Sequence, residues 1–198
     1  MQIIFLDSET TGLDATKHRL LEIAFKIFDS RKKRLVSSFE AIINQPAAVL
    51  AEADPHSMSI NGIKEEVILT GKSERAVSAE IINDFHRAGV AKGAAVFICQ
   101  NPSFDRAFFN QLISVEMQKE LQWPYHWLDL ASMFWAIKKG NFEKESDISK
   151  NAIAESFGLK KEPDPHRAMN GVIHLMQCYE ALLGLSIPEF EASARSVQ

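Results

Sequence analysis

The stretch Ile3-Ile4-Phe5-Leu6 runs directly into Asp7-Ser8-Glu9-Thr10-Thr11-Gly12. Consecutive large apolar residues leave no polar face, so a strand here must be covered on both sides and belongs inside a sheet. Its end must emerge where charge is tolerated, because Asp7 and Glu9 follow at once. Residues i and i+2 of a strand point to one face, which sets the two carboxylates side by side. Such a pair repels unless it is protonated or bridged by a cation. Asp-x-Glu is common, however, and taken alone it reads better as two solvated acids before a Thr-Thr-Gly turn.

The rest of the chain alternates in a way that suits a mixed α/β sheet flanked by helices. Leu20 to Phe28 and Leu35 to Ile43 read as two further strands, joined by the basic turn Arg31-Lys32-Lys33-Arg34, a solvated hairpin tip. That gives three leading antiparallel strands. Residues 46 to 74 are mixed, punctuated by Pro46, Pro55 and Gly62. Val77, Ile81 and Phe85 stand at helical spacing between Arg75 and Arg87, and Gly89 follows as a stop. Ala94 to Cys99 is a short strand leading into a helix with Ser103 as N-cap and Phe104, Phe108 and Phe109 on one face. Trp127 to Leu130 reads as a last strand, Ser132 to Lys138 and Ile148 to Phe157 as helices, and His166 to Leu183 as the final helix. The expected organisation is one domain over residues 1–184 with a short tail over 185–198.

Composition narrows the setting. Of 198 residues, 46% are hydrophobic and 24% charged, which supports a folded core rather than disorder. The N-terminus lacks the basic start and long apolar stretch of a signal peptide, and no apolar run is long enough to span a membrane, so a cytoplasmic protein with no membrane partner is expected. Cys99 and Cys178 each lie in an apolar run and read as reduced core residues. The formal charge of −4 argues against coating long duplex DNA but not against gripping a strand end. Trp123, Trp127 and Trp135 could form a stacking platform, but their spacing fits burial under the last helices, or a dimer interface, better.

Two further constellations carry chemistry. In Asn101-Pro102-Ser103-Phe104-Asp105, Asp105 falls near a helix start, where an acid complements the helix dipole, or brings a third carboxylate to the sheet edge. In Asp164-Pro165-His166-Arg167-Ala168, His166 follows the charged loop Lys160-Lys161-Glu162-Pro163 and opens a helix. An exposed histidine of ordinary pKa, about 6.5, suits a general base at neutral pH. It also suits an unremarked polar residue at a helix entry.

Taken together, Asp7-x-Glu9-Thr10-Thr11-Gly12-Leu13, Asn101-x-x-Phe104-Asp105 and His166-Arg167-Ala168 resemble the DEDDh (DnaQ-like) 3′–5′ exonucleases. Leu21-Glu22-Ile23-Ala24 and Ile60-Asn61-Gly62-Ile63 support the resemblance. It implies an RNase H-like sheet and hydrolysis of single-stranded DNA or short RNA from the 3′ end, releasing nucleoside 5′-monophosphates. By resemblance, Asp7, Glu9 and Asp105 would bind metal, and His166 would deprotonate the attacking water. Thr10, Leu13 and Phe104 would hold the terminal nucleotide. Two Mg²⁺ or Mn²⁺ ions, ~3.5–4 Å apart, would stabilise the attacking and leaving oxygens.

The pattern fails at one point. The family's last motif is His-x-Ala-x-x-Asp, and the final position here is Gly171, after Asn170. Gln100 also stands where a histidine is common. One metal site is therefore expected to be weak and the activity reduced. Asn170 or Asp164 are candidate substitutes, or the enzyme works with one firmly held metal plus substrate; Gly171→Asp is expected to restore the ligand at little cost in stability, unless Gly171 is needed for close helix packing. The rival reading is a pseudo-exonuclease that binds nucleic acid or protein. The stretch after Gly184 looks too brief to tether a polymerase, and monomer and homodimer both remain open.

Overall fold

A computed structural model describes residues 1–185. Among them, five strands form one sheet: β1 (Gln2–Thr10), β2 (Leu20–Asp29), β3 (Arg34–Ile42), β4 (Ala95–Cys99) and β5 (Trp127–Asp129), in the order β3-β2-β1-β4-β5. The three leading strands pair antiparallel, while β4 runs parallel to β1 and β5 parallel to β4. The apolar start of the chain is thus the central strand, as its composition demands. It is longer than its apolar run, because pairing with β2 continues from Gln2 to Thr10 and carries both acids inside the strand.

Alternation along β1 splits the core in two. Ile4 and Leu6 face helices α4 (Glu74–Ala88) and α5 (Pro102–Leu112), packing with Val77, Ile81, Phe85, Phe108 and Phe109. Ile3 and Phe5 face α9 (Ala168–Leu183), packing with Val172, Leu175 and Met176. The sheet is therefore covered on both faces, the arrangement expected of a buried strand with no polar side. Helix α4 is set by its ends: Ser73 accepts from the Ala76 N–H at 3.2 Å, and Gly89 closes it in the left-handed region at φ 71°. Phe85 is fully buried against Phe25, Phe97 and Trp123, with ring centroids 5.0, 6.0 and 4.7 Å away. Cutting such a ring back to Ala costs about 3–5 kcal/mol.

Several boundaries differ from expectation. Residues 46–74 hold three short helices, α1 (Ala47–Ala51), α2 (Pro55–Asn61) and α3 (Glu65–Leu69), and α6 (Val115–Glu120) was not anticipated. Helix α5 begins at Pro102 with Asn101 as its cap residue, so Ser103 is inside the helix and instead donates to Asn101 Oδ1 at 2.5 Å. Proline at the first helical position needs no N–H partner, which moves the start forward. The next helix, α7, spans Leu130–Ile137. The stretch predicted from Ile148 divides into a 3₁₀ turn (Glu145–Ile148) and α8 (Lys150–Ser156), separated by Ser149, which caps α8. Helix α9 starts at Ala168, leaving His166 and Arg167 ahead of it in extended or irregular chain. Trp123 is buried and Trp127 stacks on Phe97 with ring centroids 4.0 Å apart, but both lie on the α4–α5 side rather than under the last helices. Trp135 is exposed and stacks on Phe142. Cys99 and Cys178 are buried and unpaired. Among the described residues no helix is long and apolar enough to cross a membrane. Apart from Leu185, the expected tail lies outside the described residues.

Candidate active site

The parallel register joins β1 to β4 only from Gln2 to Phe5, so beyond Phe5 the central strand has no neighbour on that side. Such a gap, outside the carboxyl ends of parallel strands, is where open α/β sheets bind ligands. A cavity of about 440 Å³ occupies it, lined by Asp7, Glu9, Asp105 and His166, and also by Thr10, Leu13 and Phe104. All seven residues singled out from the sequence thus meet in one place.

The alternation that divides the core also delivers the acids. Asp7 and Glu9 share the Ile3–Phe5 face and look toward α9. There Gly171 lies against Asp7 so closely that a Cβ built on it would overlap the carboxylate. Ser8, on the opposite face, donates to Asp105 Oδ1 at 2.8 Å, which brings the first turn of α5 over the strand end. His166 is fixed through its backbone, whose N–H donates to the Ile60 carbonyl at 3.0 Å. The adjoining Asn61 is buried, donates to the Thr10 carbonyl at 3.2 Å and accepts from the Ile63 N–H at 3.0 Å. Behind His166, Arg167 clasps the fully buried Glu22, with Nε 2.9 Å from Oε2, and the Ala168 N–H donates to the same oxygen at 3.0 Å. The two supporting motifs noted in the sequence are therefore the braces that hold the β1 turn and the entry to α9.

Two residues that the sequence reading passed over complete the site. Lys150, the first residue of α8, places Nζ 3.1 Å from Asp7 Oδ1 and 2.8 Å from Glu162 Oε2. Glu162, read from sequence as part of a flexible charged loop, is buried instead. Its backbone N–H donates to Asn151 Oδ1 at 2.9 Å, tying it to the residue next to Lys150. Both line the cavity. No periodicity marks either one, and a lysine and a glutamate in polar stretches ordinarily read as solvated.

Burial and neighbouring charge set the electrostatics. Burial raises the Asp7 carboxyl above its ordinary range, against the pull of Lys150. Burial and the charge of Asp7 push Glu9 up to about 8. Asp105 is raised by burial and then by Asp7. Burial disfavours the charge on Lys150, but Asp7 and Glu162 more than offset this and hold the ammonium well above the usual lysine range. Among the described residues no three His, Cys, Asp or Glu side chains stand in metal-holding geometry. The acids surround a lysine rather than a ready cage.

The expected substitutes for the missing acid are not at the cavity. The Asp164 side chain is 93% exposed and lies 3.6 Å from His166 Nε2, and neither Asp164 nor Asn170 lines the space. Gly171 does face the site, but with no room for a side chain while Asp7 holds its position, which corrects the expectation of an inexpensive Gly171→Asp.

An exonuclease family, RNase_T, matches residues 4–178. A probable oligoribonuclease of Caenorhabditis elegans is 29% identical over 113 residues, 56% of this chain and 58% of the relative. The chain thus spans little more than half the length of that relative. DNA polymerase III subunit epsilon of Treponema pallidum (strain Nichols) is 27% identical over 177 residues, 89% of this chain and 74% of the relative. Among solved structures, the nuclease domain of 3′hExo, a DEDDh family member bound to rAMP, matches with TM-score 0.72 at 12% identity, covering 92% of both chains. At that identity the likeness establishes the fold.

Proposed function

The chain belongs to the RNase_T exonuclease family, and on that premise we propose that it removes nucleoside 5′-monophosphates from the 3′ ends of single-stranded DNA or short RNA in the cytoplasm. The observation that carries this reading is the meeting of Asp7, Glu9, Asp105 and His166 in one cavity at the open end of the central strand. The two buried, unpaired cysteines agree with a reducing compartment.

Members of this family generally depend on divalent metal, and the donor set here fits it. Three carboxylates raised by burial, two of them also by the charge of Asp7, make a surplus of hard oxygen ligands that Mg²⁺ or Mn²⁺ would relieve. Asp7, Glu9 and Asp105 would hold the cation, which when bound supplies charge stabilisation at the phosphodiester oxygens. His166 takes the proton from the water that attacks phosphorus. Its half-exposed ring reaches solvent, and Asp164 lies close enough to steer it. Thr10 is fixed by its hydroxyl, which donates to the Gly12 carbonyl at 2.7 Å, so its backbone can hold the terminal nucleotide without moving. Leu13 is exposed and lines the same cavity as Phe104, two apolar groups suited to a base.

The test is a 5′-labelled single-stranded DNA and a short RNA incubated with each cation. A ladder shortening from the 3′ end is expected, faster with Mn²⁺ than with Mg²⁺, because Mn²⁺ tolerates a poorer ligand set. His166→Ala should lower kcat by about 10²–10⁴-fold. Binding of the oligonucleotide without cleavage in either cation would refute the reading and leave a binding module on an exonuclease scaffold.

A further inference from the structure

At position 171, where the family pattern carries its fourth carboxylate, the helix presents only backbone, and an ammonium is its neighbour. Lys150 Nζ lies 3.5 Å from the Gly171 carbonyl oxygen, besides its contacts with Asp7 and Glu162. The Lys150 and Glu162 side chains are only 12% and 2% exposed, and Glu162 Oε1 is buried without a hydrogen-bond partner among the described residues.

We propose that Lys150 is a built-in cation standing in for one of the two divalent ions of this family, with Glu162 as its counter-carboxylate, so that the site takes up a single divalent metal. The inference rests on the exonuclease reading above. The ammonium holds Asp7 Oδ1, which leaves Oδ2 to join Glu9 and Asp105 around one divalent ion, whereas a second ion on Oδ1 would meet like charge at close range. The placement is built rather than incidental. Ser149 caps α8 by accepting from the Ala152 N–H at 3.2 Å, and Gln100 Nε2 donates to the Ile148 carbonyl at 2.9 Å, two residues before Lys150. On the other side, Asn151 holds the Glu162 backbone. The two departures from the family pattern, Gln100 and Gly171, therefore both touch the lysine's path: one anchors the segment that carries it, and the other leaves its destination free of a side chain.

The alternative is a lysine that merely neutralises the empty site and swings out when metals enter. Counting Mn²⁺ ions bound by the full chain in saturating adenosine 5′-monophosphate, by electron paramagnetic resonance, separates the two. One Mn²⁺ is expected in the wild type and two in Lys150→Met. In parallel, acetic anhydride labelling of the wild type should leave Lys150 protected with and without Mn²⁺. Two ions in the wild type, or labelling of Lys150 that rises on adding Mn²⁺, would overturn the inference while leaving the exonuclease reading intact. One ion in a folded Lys150→Met would also overturn it. No Mn²⁺ bound at all would overturn both. If Lys150→Met does not fold, the wild-type count and labelling decide alone.

Discussion

Removing the Arg167 side chain tests how the entry to α9 is held. Glu22 is fully buried on β2, directly opposite Glu9 in the β1–β2 register. Its carboxylate is compensated by Arg167 and by the Ala168 N–H. Arg167→Ala leaves a buried anion with the Ala168 N–H and the neighbouring Glu40 carboxyl, and no cation against it among the described residues. Breaking a buried ion pair from one side costs about 3–5 kcal/mol, because the surviving charge stays desolvated. The Arg167 side chain is 39% exposed, so water screens its half of the pair and the low end, about 3 kcal/mol, is the expectation. For a chain of this size, 1 kcal/mol shifts Tm by about 2–4 °C, so Tm should fall by roughly 6–12 °C. Removing the stranded charge should then recover part of the loss, making Glu22→Gln/Arg167→Ala more stable than Arg167→Ala alone. Thermal unfolding followed by circular dichroism, in metal-free buffer, reads both quantities. A fall of less than about 2 °C, or a double variant no more stable than the single one, would refute the argument that Arg167 compensates a buried charge.

The raised carboxylates predict a pH trend in the metal-free protein. An acid whose folded pKa lies above its unfolded value stabilises fully below the unfolded value, and this is lost as pH rises through the folded one. For Glu9 that window runs from the ordinary 4.5 to about 8, so Tm in EDTA should fall across it more steeply in the wild type than in Glu9→Gln. Parallel pH profiles for the two proteins would contradict this. Gly171→Ala should destabilise by about 1–3 kcal/mol, since the new Cβ presses on Asp7. An unchanged denaturation midpoint would mean that Asp7 moves aside freely.

How much of this was legible from sequence depends on whether a residue's role is local. The four apolar residues before Asp7 placed β1 at the centre of the sheet, because a strand without a polar face has nowhere else to go. Val77, Ile81 and Phe85 marked α4 by spacing alone, and all three are buried. The residues around the cavity could be picked out because each sits in a short ordered motif. Lys150 and Glu162 could not. Their pairing depends on α8 and the loop before His166 converging on the β1 end, a tertiary event that leaves no period or spacing. The vacancy at Gly171 was visible, but not what stands beside it: Asp164 and Asn170 are near it in sequence, whereas Lys150 is near it only in space. The short helices of residues 46–74 escaped for a related reason: α1, α2 and α3 are five to seven residues long, too short to display an apolar stripe.

The single hydrogen bond from Gln100 to the Ile148 carbonyl spans 48 residues of chain, and it turns two separate spellings into one unit of heredity. A histidine at position 100 could not offer the same amide donor from the same place. A segment released there would no longer aim its lysine at Asp7, and the site would then want the acid that position 171 lacks. Changes at 100 and 171 should therefore show strong epistasis, with the family residue at either one harmful alone and better tolerated in the company of the other. An engineer converting this site to four carboxylates has to cross that valley in one step.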